Sequence, residues 1–396
     1  MVDFQISNSP LRFDANFAMK KVAIIQRIVP HYRLPLYRVM VKELAKHGVE
    51  LTILFGQERD GTVPKSMTST ESWMHKSNNI YFSIFGHEIV YQPFFIKSFG
   101  YDLVITEQAN RLVLNYLLQF FLRLSGAKLA FWGHGRNFQA NNSGSILESV
   151  KAKATNYANW FFGYTNNSVD TVTSNGFPVE RTTVLENAID TTSLKVAYDK
   201  ISIEELQPIR ESVGLSSNSI GIYCGGMYSD KKIPFLLDAC LAIKSKLPDF
   251  EMIFIGAGPK ANLIDGFCKK NQWAVSLGEV TGVERVKYFA VSKVFLMPGL
   301  VGLAVLDSFA MKTPMVTTDI PIHSPEFAYL SHGENGLVTQ FSTETFSEEV
   351  VSILTNQEKY ERLKNGCELA ASKYTIENMA EKFVGGILAA LDISLE

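Results

Sequence analysis

The sequence lacks the features that mark several common protein classes. It has few cysteines and no C-x-x-C spacing, so we expect neither a zinc site nor a disulfide framework but buried, reduced thiols. Its longest apolar helix, Leu112 to Leu124, is shorter than the ~20 residues of a membrane span. The first twenty residues contain no apolar core, so no signal peptide is expected. These absences favour a cytoplasmic protein, with the inner face of the membrane as an alternative location.

Charge and two common motifs are also scarce. The net charge is −2, which argues against nucleic acid as the main partner. No G-x-G-x-x-G follows the first apolar strand, which makes a dinucleotide oxidoreductase the least favoured class. The chain contains no D-x-D, the carboxylate pair with which many sugar transferases bind Mg²⁺ or Mn²⁺, so no metal is expected. Residues 1–190 nevertheless hold 19 Lys and Arg against 15 Asp and Glu, so this half could face anionic lipid headgroups.

Short apolar runs alternate with helical segments along the chain. Runs such as 21–26, 101–106, 128–132, 220–224 and 251–255 are of the kind buried in parallel sheets. A chain of 396 residues that is 46% hydrophobic and 20% charged can bury two cores. The pattern therefore predicts a soluble α/β protein of two domains, with long helices over 146–160 and 346–365.

The loop after the first strand carries a group of polar, aromatic and cationic side chains. These are Arg27, His31, Tyr32 and Arg33. A loop that follows a parallel strand lies at the edge of the sheet where ligands bind, so these groups are suited to sugar or phosphate contacts. The alternative is a solvated loop.

A histidine between two glycines follows another buried strand. His134 lies between Gly133 and Gly135, which allow close backbone approach, and we give it a functional role. Glu107 and Gln108, at the end of the neighbouring strand, are weaker candidates.

The predicted helix over 146–160 carries Lys151 and Lys153 and leads into the aromatic run 160–162. It could rest on a membrane, although an amphipathic core helix is more common.

In the second half, a strand over 220–224 leads into Gly225 and Gly226, then Lys231 and Lys232, then a helix. An ammonium in this position can lie against a diphosphate while the glycines let the backbone approach it. Two solvated lysines are the alternative reading.

A second strand–loop–helix–strand unit runs from residue 293 to residue 318. Gly302 would let a diphosphate approach the N-terminus of the helix, and Asp307 on its inner face could accept hydrogen bonds from a ribose. From spacing alone, an ordinary crossover helix explains the unit equally well.

The segment from Gly299 to Thr317 (GLVGLAVLDSFAMKTPMVT) resembles the signature of retaining glycosyltransferases of family 4, in particular members that act on bacterial surface polysaccharides. That signature has an acidic residue, seven others, a second acidic residue, and then a helix and strand. Asp307 matches the second acid, and Gly299 stands in place of the first. Lys231 matches a family lysine, while the family's arginine is missing near Gly226 or Met227.

The resemblance implies the GT-B fold, with two Rossmann-like parallel-sheet domains facing a central cleft. It places an acceptor-binding domain over residues 1–186, with a tail over 1–19, and a nucleotide-sugar-binding domain over residues 187–374. The boundary lies in a V-x-N-G-I/V-D-like segment at 184–190, and a final helix over 375–396 is expected to pack back on the first domain.

The resemblance also implies roles for individual residues. His134, Lys231 and Asp307 would act on the donor sugar, the diphosphate and the ribose. Donor binding is expected from Gly225, Gly226, Gly256, Gly258, Val280, Gly299, Gly302, Leu303 and Ala304. Acceptor binding is expected from Arg27, His31, Tyr32, Arg33 and Glu107.

The reaction implied is hexosyl transfer from a UDP- or GDP-sugar, with retention and without a cofactor or metal. The acceptor would be a glycan or a lipid-linked oligosaccharide of polysaccharide or lipopolysaccharide synthesis, with peripheral membrane contact through the first domain. A nucleotide-sugar epimerase of similar fold and an inactive nucleotide-sugar- or glycan-binding relative remain alternatives.

Overall fold

The computed structural model of the chain describes residues 19–59, 71–84, 87–135 and 155–394. Within these residues the chain forms two parallel sheets, one in each half, and a small antiparallel hairpin. Each sheet is covered by helices, as the alternation of apolar runs and helical segments predicts.

The first sheet has seven strands in the described residues, in the order β3-β2-β1-β6-β7-β8-β9, all paired in parallel. Its strands and those of the hairpin are β1 (Lys20–Gln26), β2 (Val49–Phe55), β3 (Met74–Lys76), β4 (Ile80–Ile84), β5 (His87–Tyr91), β6 (Leu103–Glu107), β7 (Lys128–Gly133), β8 (Trp160–Gly163) and β9 (Thr182–Val184). The helices are α1 (Leu34–Lys46), α2 (Phe95–Ser98), α3 (Val113–Ser125) and α4 (Asn166–Ser174), with short 3-10 turns at His31–Arg33 and Val179–Arg181.

The second sheet has six parallel strands in the order β12-β11-β10-β13-β14-β15, again counted over the described residues. They are β10 (Ile220–Cys224), β11 (Glu251–Ile255), β12 (Ala274–Ser276), β13 (Val294–Leu296), β14 (Met315–Thr318) and β15 (Gly336–Thr339). The helices are α5 (Thr192–Lys200), α6 (Ile203–Ser212), α7 (Ile233–Lys246), α8 (Ala261–Lys270), α9 (Val286–Ala290), α10 (Ala304–Ala310), α11 (Thr343–Thr355), α12 (Gln357–Lys373) and α13 (Ile376–Ala390). Further 3-10 turns cover Ser229–Lys231, Gly282–Arg285 and Pro325–Tyr329.

The last helix, α13, packs on the first domain. The ring of Phe383 stacks on Phe162 with 4.6 Å between centroids and meets Trp132 edge-on at 5.1 Å. A Cβ at Gly386 would lie 2.6 Å from the Phe162 ring, so the helix approaches β8 closely only because this residue is glycine. Helix α13 therefore completes the core of the first domain.

Asn187, in the segment that connects the two halves, is hydrogen-bonded to both of them. Arg33, after β1, donates from Nη2 to Oδ1 of Asn187 at 2.7 Å. The Asn187 amide in turn donates to the carboxylate of Glu326 in the second half, and the Tyr329 hydroxyl donates to the Asn187 carbonyl oxygen at 3.1 Å. All four groups are buried, so these hydrogen bonds fix how the segment leaves the first domain.

The prediction of a helix over 146–160 is wrong at its end, because Trp160 begins strand β8. Residues 146–154, which include Lys151 and Lys153, lie outside the described residues. Phe161 and Phe162 are fully buried in that strand, so they cannot contact a membrane.

The single helix predicted over 346–365 is two helices, α11 and α12. Asn356 breaks the helix with an extended backbone (φ −112°, ψ 101°), and its side chain caps α12 by accepting a hydrogen bond from the Lys359 N–H.

The cysteines are all free, as predicted, but Cys268 is only partly buried. No helix in the described parts of the chain is both long enough and apolar enough to cross a bilayer.

Candidate functional site

Glycine loops at the carboxyl ends of β10 and β11 pack backbone against backbone. The Gly225 N–H donates to the Ile255 carbonyl oxygen at 3.0 Å, and the Met227 N–H donates to that of Ala257 at 2.8 Å. A Cβ at Gly256 would lie 1.9 Å from the Gly225 carbonyl oxygen, and one at Gly258 would lie 2.7 Å from that of Met227. Gly256 and Gly258 thus let the two loops pack closely, while a Cβ at Gly226 would lie 2.7 Å from the Tyr228 ring. The Gly256 N–H donates to the Gly278 carbonyl oxygen, and Val280 lies partly buried two residues farther on.

Lys231 is buried between two loops. Its Nζ donates to the carbonyl oxygen of Leu300 at 2.5 Å and lies 5.7 Å from the centre of the Tyr228 ring. Burial lowers the pKa of Lys231 to about 8. The neighbouring Lys232 instead has a left-handed backbone (φ 54°) at the start of α7. Of the two lysines, it is Lys231 whose ammonium points to the 298–303 loop.

Gly299 has no room for a side chain. The Leu300 N–H donates to the Asp230 carbonyl oxygen at 2.9 Å, which brings the two loops together. A Cβ at Gly299 would lie 2.2 Å from that oxygen and 2.5 Å from the Cα of Lys231. An acidic residue at this position would displace the backbone that carries Lys231. The neighbouring loop therefore occupies the space that the acid of the family signature would need at this position.

His323, which sequence reasoning missed, holds the same loop. Its Nδ1 accepts a hydrogen bond from the Val301 N–H at 3.3 Å, so its Nε2 carries the proton and donates to the Thr318 carbonyl oxygen at 2.6 Å. The ring stacks on Phe327 with 4.2 Å between centroids, and burial lowers its pKa. The Thr318 hydroxyl also donates to the Pro298 carbonyl oxygen at 2.6 Å. A signal existed in the sequence, since His323 follows the β14 strand much as His134 follows β7.

Asp307 is buried on α10 and forms an ion pair. Arg285 Nη2 donates to its Oδ1 at 2.8 Å. Burial raises the pKa of Asp307 and the Arg285 charge opposes that rise. The sequence did not single out Arg285, because it lies in a segment that reads as an ordinary amphipathic helix. The ribose contact predicted for Asp307 must therefore be made by a carboxylate that already has a cationic partner.

The charged residues converge on the end of β10. Burial raises the pKa of the Cys224 thiol to about 11, and the charges of Asp307, Arg285 and Lys231 all act on this thiol. The ion pair of Arg285 with Asp307 and the Lys231 ammonium on the 298–303 loop therefore lie in the neighbourhood of this strand end. The surrounding surface is formed by the glycine loops and by the 298–303 loop.

Two buried polar atoms near this cluster have no hydrogen-bond partner among the described residues. They are the Ser324 Oγ and the Arg285 Nε. A Cβ at Gly302, whose φ is 57°, would lie 3.9 Å from the Ser324 Oγ. Leu303 and Ala304, also predicted for donor binding, follow Gly302 and are partly exposed. Buried polar groups are normally paired, so these atoms leave capacity for a polar ligand beside the loop.

In the first domain, Glu107 lies at the end of β6 beside the first loop. Its Oε2 accepts from the Arg27 N–H at 2.9 Å, and burial raises its pKa. Arg27 Nη1 donates to the Tyr81 hydroxyl at 3.4 Å, while His31 and Tyr32 form an exposed edge-to-face pair at 5.9 Å. The structure thus places these four candidates at one edge of the sheet.

Arg33, the fifth acceptor candidate, is buried in the junction between the domains. Its guanidinium lies 5.2 Å from the Trp132 ring and 5.8 Å from the Tyr164 ring, and it donates to Asn187. Its side chain therefore holds the junction rather than projecting from the loop.

His134 directly follows β7, the strand next to the one that ends at Glu107, because β6 and β7 pair with Glu107 opposite Trp132. Its ring stacks on the partly buried Tyr164, with 4.3 Å between centroids. The Gly135 N–H donates to Oε1 of Gln108 at 3.0 Å, which ties the loop after β7 to the end of β6. His134 and Glu107 are thereby held on neighbouring strand ends.

This edge of the first sheet also contains buried polar atoms that lack a hydrogen-bond partner within the described residues. They are Gln26 Oε1, Tyr37 Oη, Thr106 Oγ1 and Trp132 Nε1. Three of them lie on β1, β6 and β7, at or near the carboxyl end of each strand. Buried polar groups are normally paired, so the interior at this edge keeps unused hydrogen-bonding capacity.

No group of three or more His, Cys, Asp or Glu side chains in the described parts of the chain is arranged to hold a metal ion.

Comparison with known proteins identifies the domain that carries this cluster. Residues 218–356 match the family described as glycosyl transferases group 1. No curated protein sequence matches the chain.

Solved structures similar to the whole chain include HepE of Anabaena in complex with UDP, with a TM-score of 0.68 and 14% identity over 94% of this chain and 100% of that one. The lipopolysaccharide outer core galactosyltransferase WaaB in its apo form has a TM-score of 0.62 and 12% identity, with 93% and 99% covered. Sucrose-phosphate synthase from Thermosynechococcus elongatus has a TM-score of 0.64 and 13% identity, with 94% and 99% covered. The predicted GT-B fold is confirmed, and the second half carries a glycosyltransferase group 1 domain.

Proposed function

We propose that this glycosyltransferase moves a hexosyl unit from a UDP- or GDP-sugar to a glycan or lipid-linked acceptor, with retention and without a metal. The observation that carries the proposal is the cluster of Lys231, Arg285 and Asp307 at the end of β10, beside the 298–303 loop. The cluster lies within the residues that match the glycosyltransferase family. The similar structure of HepE contains UDP, which supports a nucleotide diphosphate as the ligand.

The cationic groups would act on the leaving diphosphate. As the bond to the sugar breaks, negative charge develops on the phosphate oxygens, and the Lys231 ammonium with the Gly302 and Leu303 N–H groups would stabilise it. The bare backbone of the glycine loops would let the diphosphate approach closely. The base would lie at Val280 and the ribose at Asp307, whose orientation Arg285 fixes.

The first domain would supply the sugar and acceptor contacts. His134 would touch the donor sugar, while Arg27, His31, Tyr32 and Glu107 would bind acceptor hydroxyls together with the unpaired polar atoms of that edge. Because donor and acceptor groups belong to different domains, turnover requires domain closure. Arg33 and Asn187 lie at the point about which such closure would occur.

A same-face mechanism fits these residues. The acceptor oxygen would bond to the anomeric carbon from the side on which the diphosphate leaves, and a phosphate oxygen would take the acceptor proton. Neither a protein nucleophile nor a metal has a role in this sequence of events.

The test begins with thermal shift across nucleotide diphosphates, followed by transfer assays with the matching sugars. Release of UDP or GDP that depends on an acceptor, with retained anomeric configuration and full activity in EDTA, is the expected result. A new sugar epimer without acceptor would instead identify an epimerase. Tight donor binding without turnover across acceptors would identify an inactive binding protein, and activity lost in EDTA and restored by Mn²⁺ would refute the metal-free mechanism.

A further inference from the structure

Helix α3 carries an apolar stripe on its outer face. Tyr116, Phe120 and Leu124 are four residues apart, so they lie along one side of the helix, and all three are exposed. Leu114, Leu118 and Leu122 on the opposite side are fully buried in the core under the first sheet. Helix α3 therefore has two apolar sides, one packed on the sheet and one exposed.

The short helix α2 extends this stripe into a patch. Phe95 of α2 packs edge-on against Phe121 of α3 at 5.3 Å and against Phe99 at 5.2 Å, and Phe121 meets Phe120 at 4.9 Å. The most exposed members are Ile96 at 85%, Leu124 at 77% and Phe120 at 69%. We call the α2–α3 face the surface formed by Ile96, Phe99, Tyr116, Phe120, Phe121 and Leu124. Single exposed apolar residues are normal, but a contiguous patch of this kind marks an interaction surface.

The charged residues next to the exposed apolar side chains of the α2–α3 face are cations. The segments that build it, residues 93–101 and 108–128, contain no Asp or Glu, although Arg111 and Lys128 at its margins pair with Glu88 and Asp392. Lys97 follows Ile96, and Arg123 precedes Leu124. Arg123 lies over the exposed ring of Tyr157 at 5.2 Å and donates to the Tyr157 carbonyl oxygen at 3.2 Å. Exposed aromatic and aliphatic side chains with cations directly beside them fit the interface of an anionic bilayer.

We infer that the α2–α3 face docks on the surface of a bilayer containing anionic lipid, with α3 lying along the membrane. The apolar side chains enter the headgroup region, and Lys97 and Arg123 contact lipid phosphates. Tyr116 lines a small cavity with Gln108 and Thr155 at the edge of the sheet where His134 lies. Docking therefore orients this edge beside the membrane, where a lipid-linked acceptor would be within reach; that last step rests on the proposed function.

The test measures binding of the full-length protein to vesicles of phosphatidylcholine alone and with phosphatidylglycerol. We expect binding only to the anionic vesicles, and the triple variant Ile96→Ser, Phe120→Ser, Leu124→Ser should reduce the partition coefficient at least about tenfold. Lys97→Gln and Arg123→Gln should each reduce it about fivefold. The matched control is Val179→Ser, Ile203→Ser, Leu369→Ser, which changes residues exposed by 66%, 83% and 73% elsewhere and should bind like wild type.

UDP binding by calorimetry, measured on every variant, separates this inference from the proposed function. Reduced vesicle binding with unchanged UDP affinity supports the docking surface, and the single variant Leu124→Glu gives the same readout if the triple variant does not fold. Equal vesicle binding by wild type and triple variant would overturn the inference. So would conversion of a dimer to a monomer in light scattering with vesicle binding unchanged, because the face would then hold a second copy of the chain.

Discussion

The ammonium of Lys231 lies 2.5 Å from the carbonyl oxygen of Leu300, which places the proposed diphosphate-binding cation against the loop that follows β13. The same two loops are joined by the Leu300 N–H and the Asp230 carbonyl oxygen at 2.9 Å. A diphosphate would therefore bind where the protein already holds both the cation and the loop that supplies N–H groups. Preorganised groups of this kind need little rearrangement when charge develops.

We predict that Lys231→Ala lowers kcat/KM by about 10²–10³ because it removes one stabilising contact to the leaving diphosphate. Lys232→Ala is the matched control and should retain activity. Steady-state assays of nucleotide release measure the effect. An unchanged kcat/KM for Lys231→Ala would show that Lys231 does not stabilise the leaving diphosphate.

The wild-type enzyme should bind UDP more weakly as the pH rises through about 8, the pKa to which burial lowers Lys231, because the ammonium is then lost. The free energy of unfolding, in contrast, should increase with pH. Between about 8 and 10.5 the unfolded chain binds more protons at this residue than the folded one, so its contribution to stability rises with pH. Calorimetry and thermal unfolding over pH 7 to 9.5 separate the two effects, and a pH-independent UDP affinity would contradict the assignment.

Gly299→Asp restores the acid of the family signature and should nevertheless inactivate the protein. Its Cβ would lie 2.5 Å from the Cα of Lys231, so the Lys231 loop must shift. Gly299→Ala should already weaken UDP binding and lower the melting temperature. Gly266→Ala on α8, where a Cβ meets nothing within 4 Å, is the control and should be neutral or stabilising. Normal UDP affinity in Gly299→Asp would show that the loop tolerates the side chain.

Arg285→Met should destabilise the fold by about 3 kcal/mol, because it leaves the buried Asp307 carboxylate without its partner. Arg285→Met combined with Asp307→Asn should recover much of that loss, because no unpaired charge remains. Urea unfolding of the single and double variants measures the coupling. Additive effects of the two substitutions would mean that the ion pair does not stabilise the site.

His323→Phe should keep the stack on Phe327 but leave the Val301 N–H and the Thr318 carbonyl oxygen unpaired, at a cost of about 1–3 kcal/mol each. UDP affinity should fall because the loop is loosened, whereas His332→Ala, at an exposed histidine, should have little effect on it. Burial holds the pKa of His323 below its usual 6.5, so the unfolded chain takes up more protons there and stability should fall as the pH drops below 6.5. Acid unfolding that is the same for wild type and His323→Phe would contradict this account.

Local sequence patterns were enough to predict the long apolar strands, but not the short strands β3, β4, β5 and β9 or the contacts between loops. The strands over 220–224 and 251–255 have the predicted bounds, because continuous apolar runs bounded by glycine are strong local signals. Lys231 was chosen over Lys232 by resemblance, and the hydrogen bond to Leu300 gives the physical distinction. The breaks at Trp160 and Asn356 were missed because apolar periodicity continues across them.

Residues whose role depends on a distant partner could not be predicted. Nothing in the sequence distinguishes Arg285 until α10 brings Asp307 to it, and Arg33 reads as a cation of an exposed loop until the junction buries it against Asn187. Gly299 was visible only as a missing acid, since the space that forbids a side chain is occupied by residues some seventy positions earlier in the chain. The sequence thus singled out residues that the structure brings together in the second half; their functional roles stay predictions, and their contact partners required coordinates.

The packing of Phe383 against Trp132 and Phe162 has a consequence for how the protein is made. A chain emerging from the ribosome presents its amino-terminal half long before the helix that covers it has been synthesised. That half must wait, with large aromatic side chains uncovered, until α13 has been synthesised. A truncation before residue 376 would therefore damage the first domain, far along the chain from the residues that it removes.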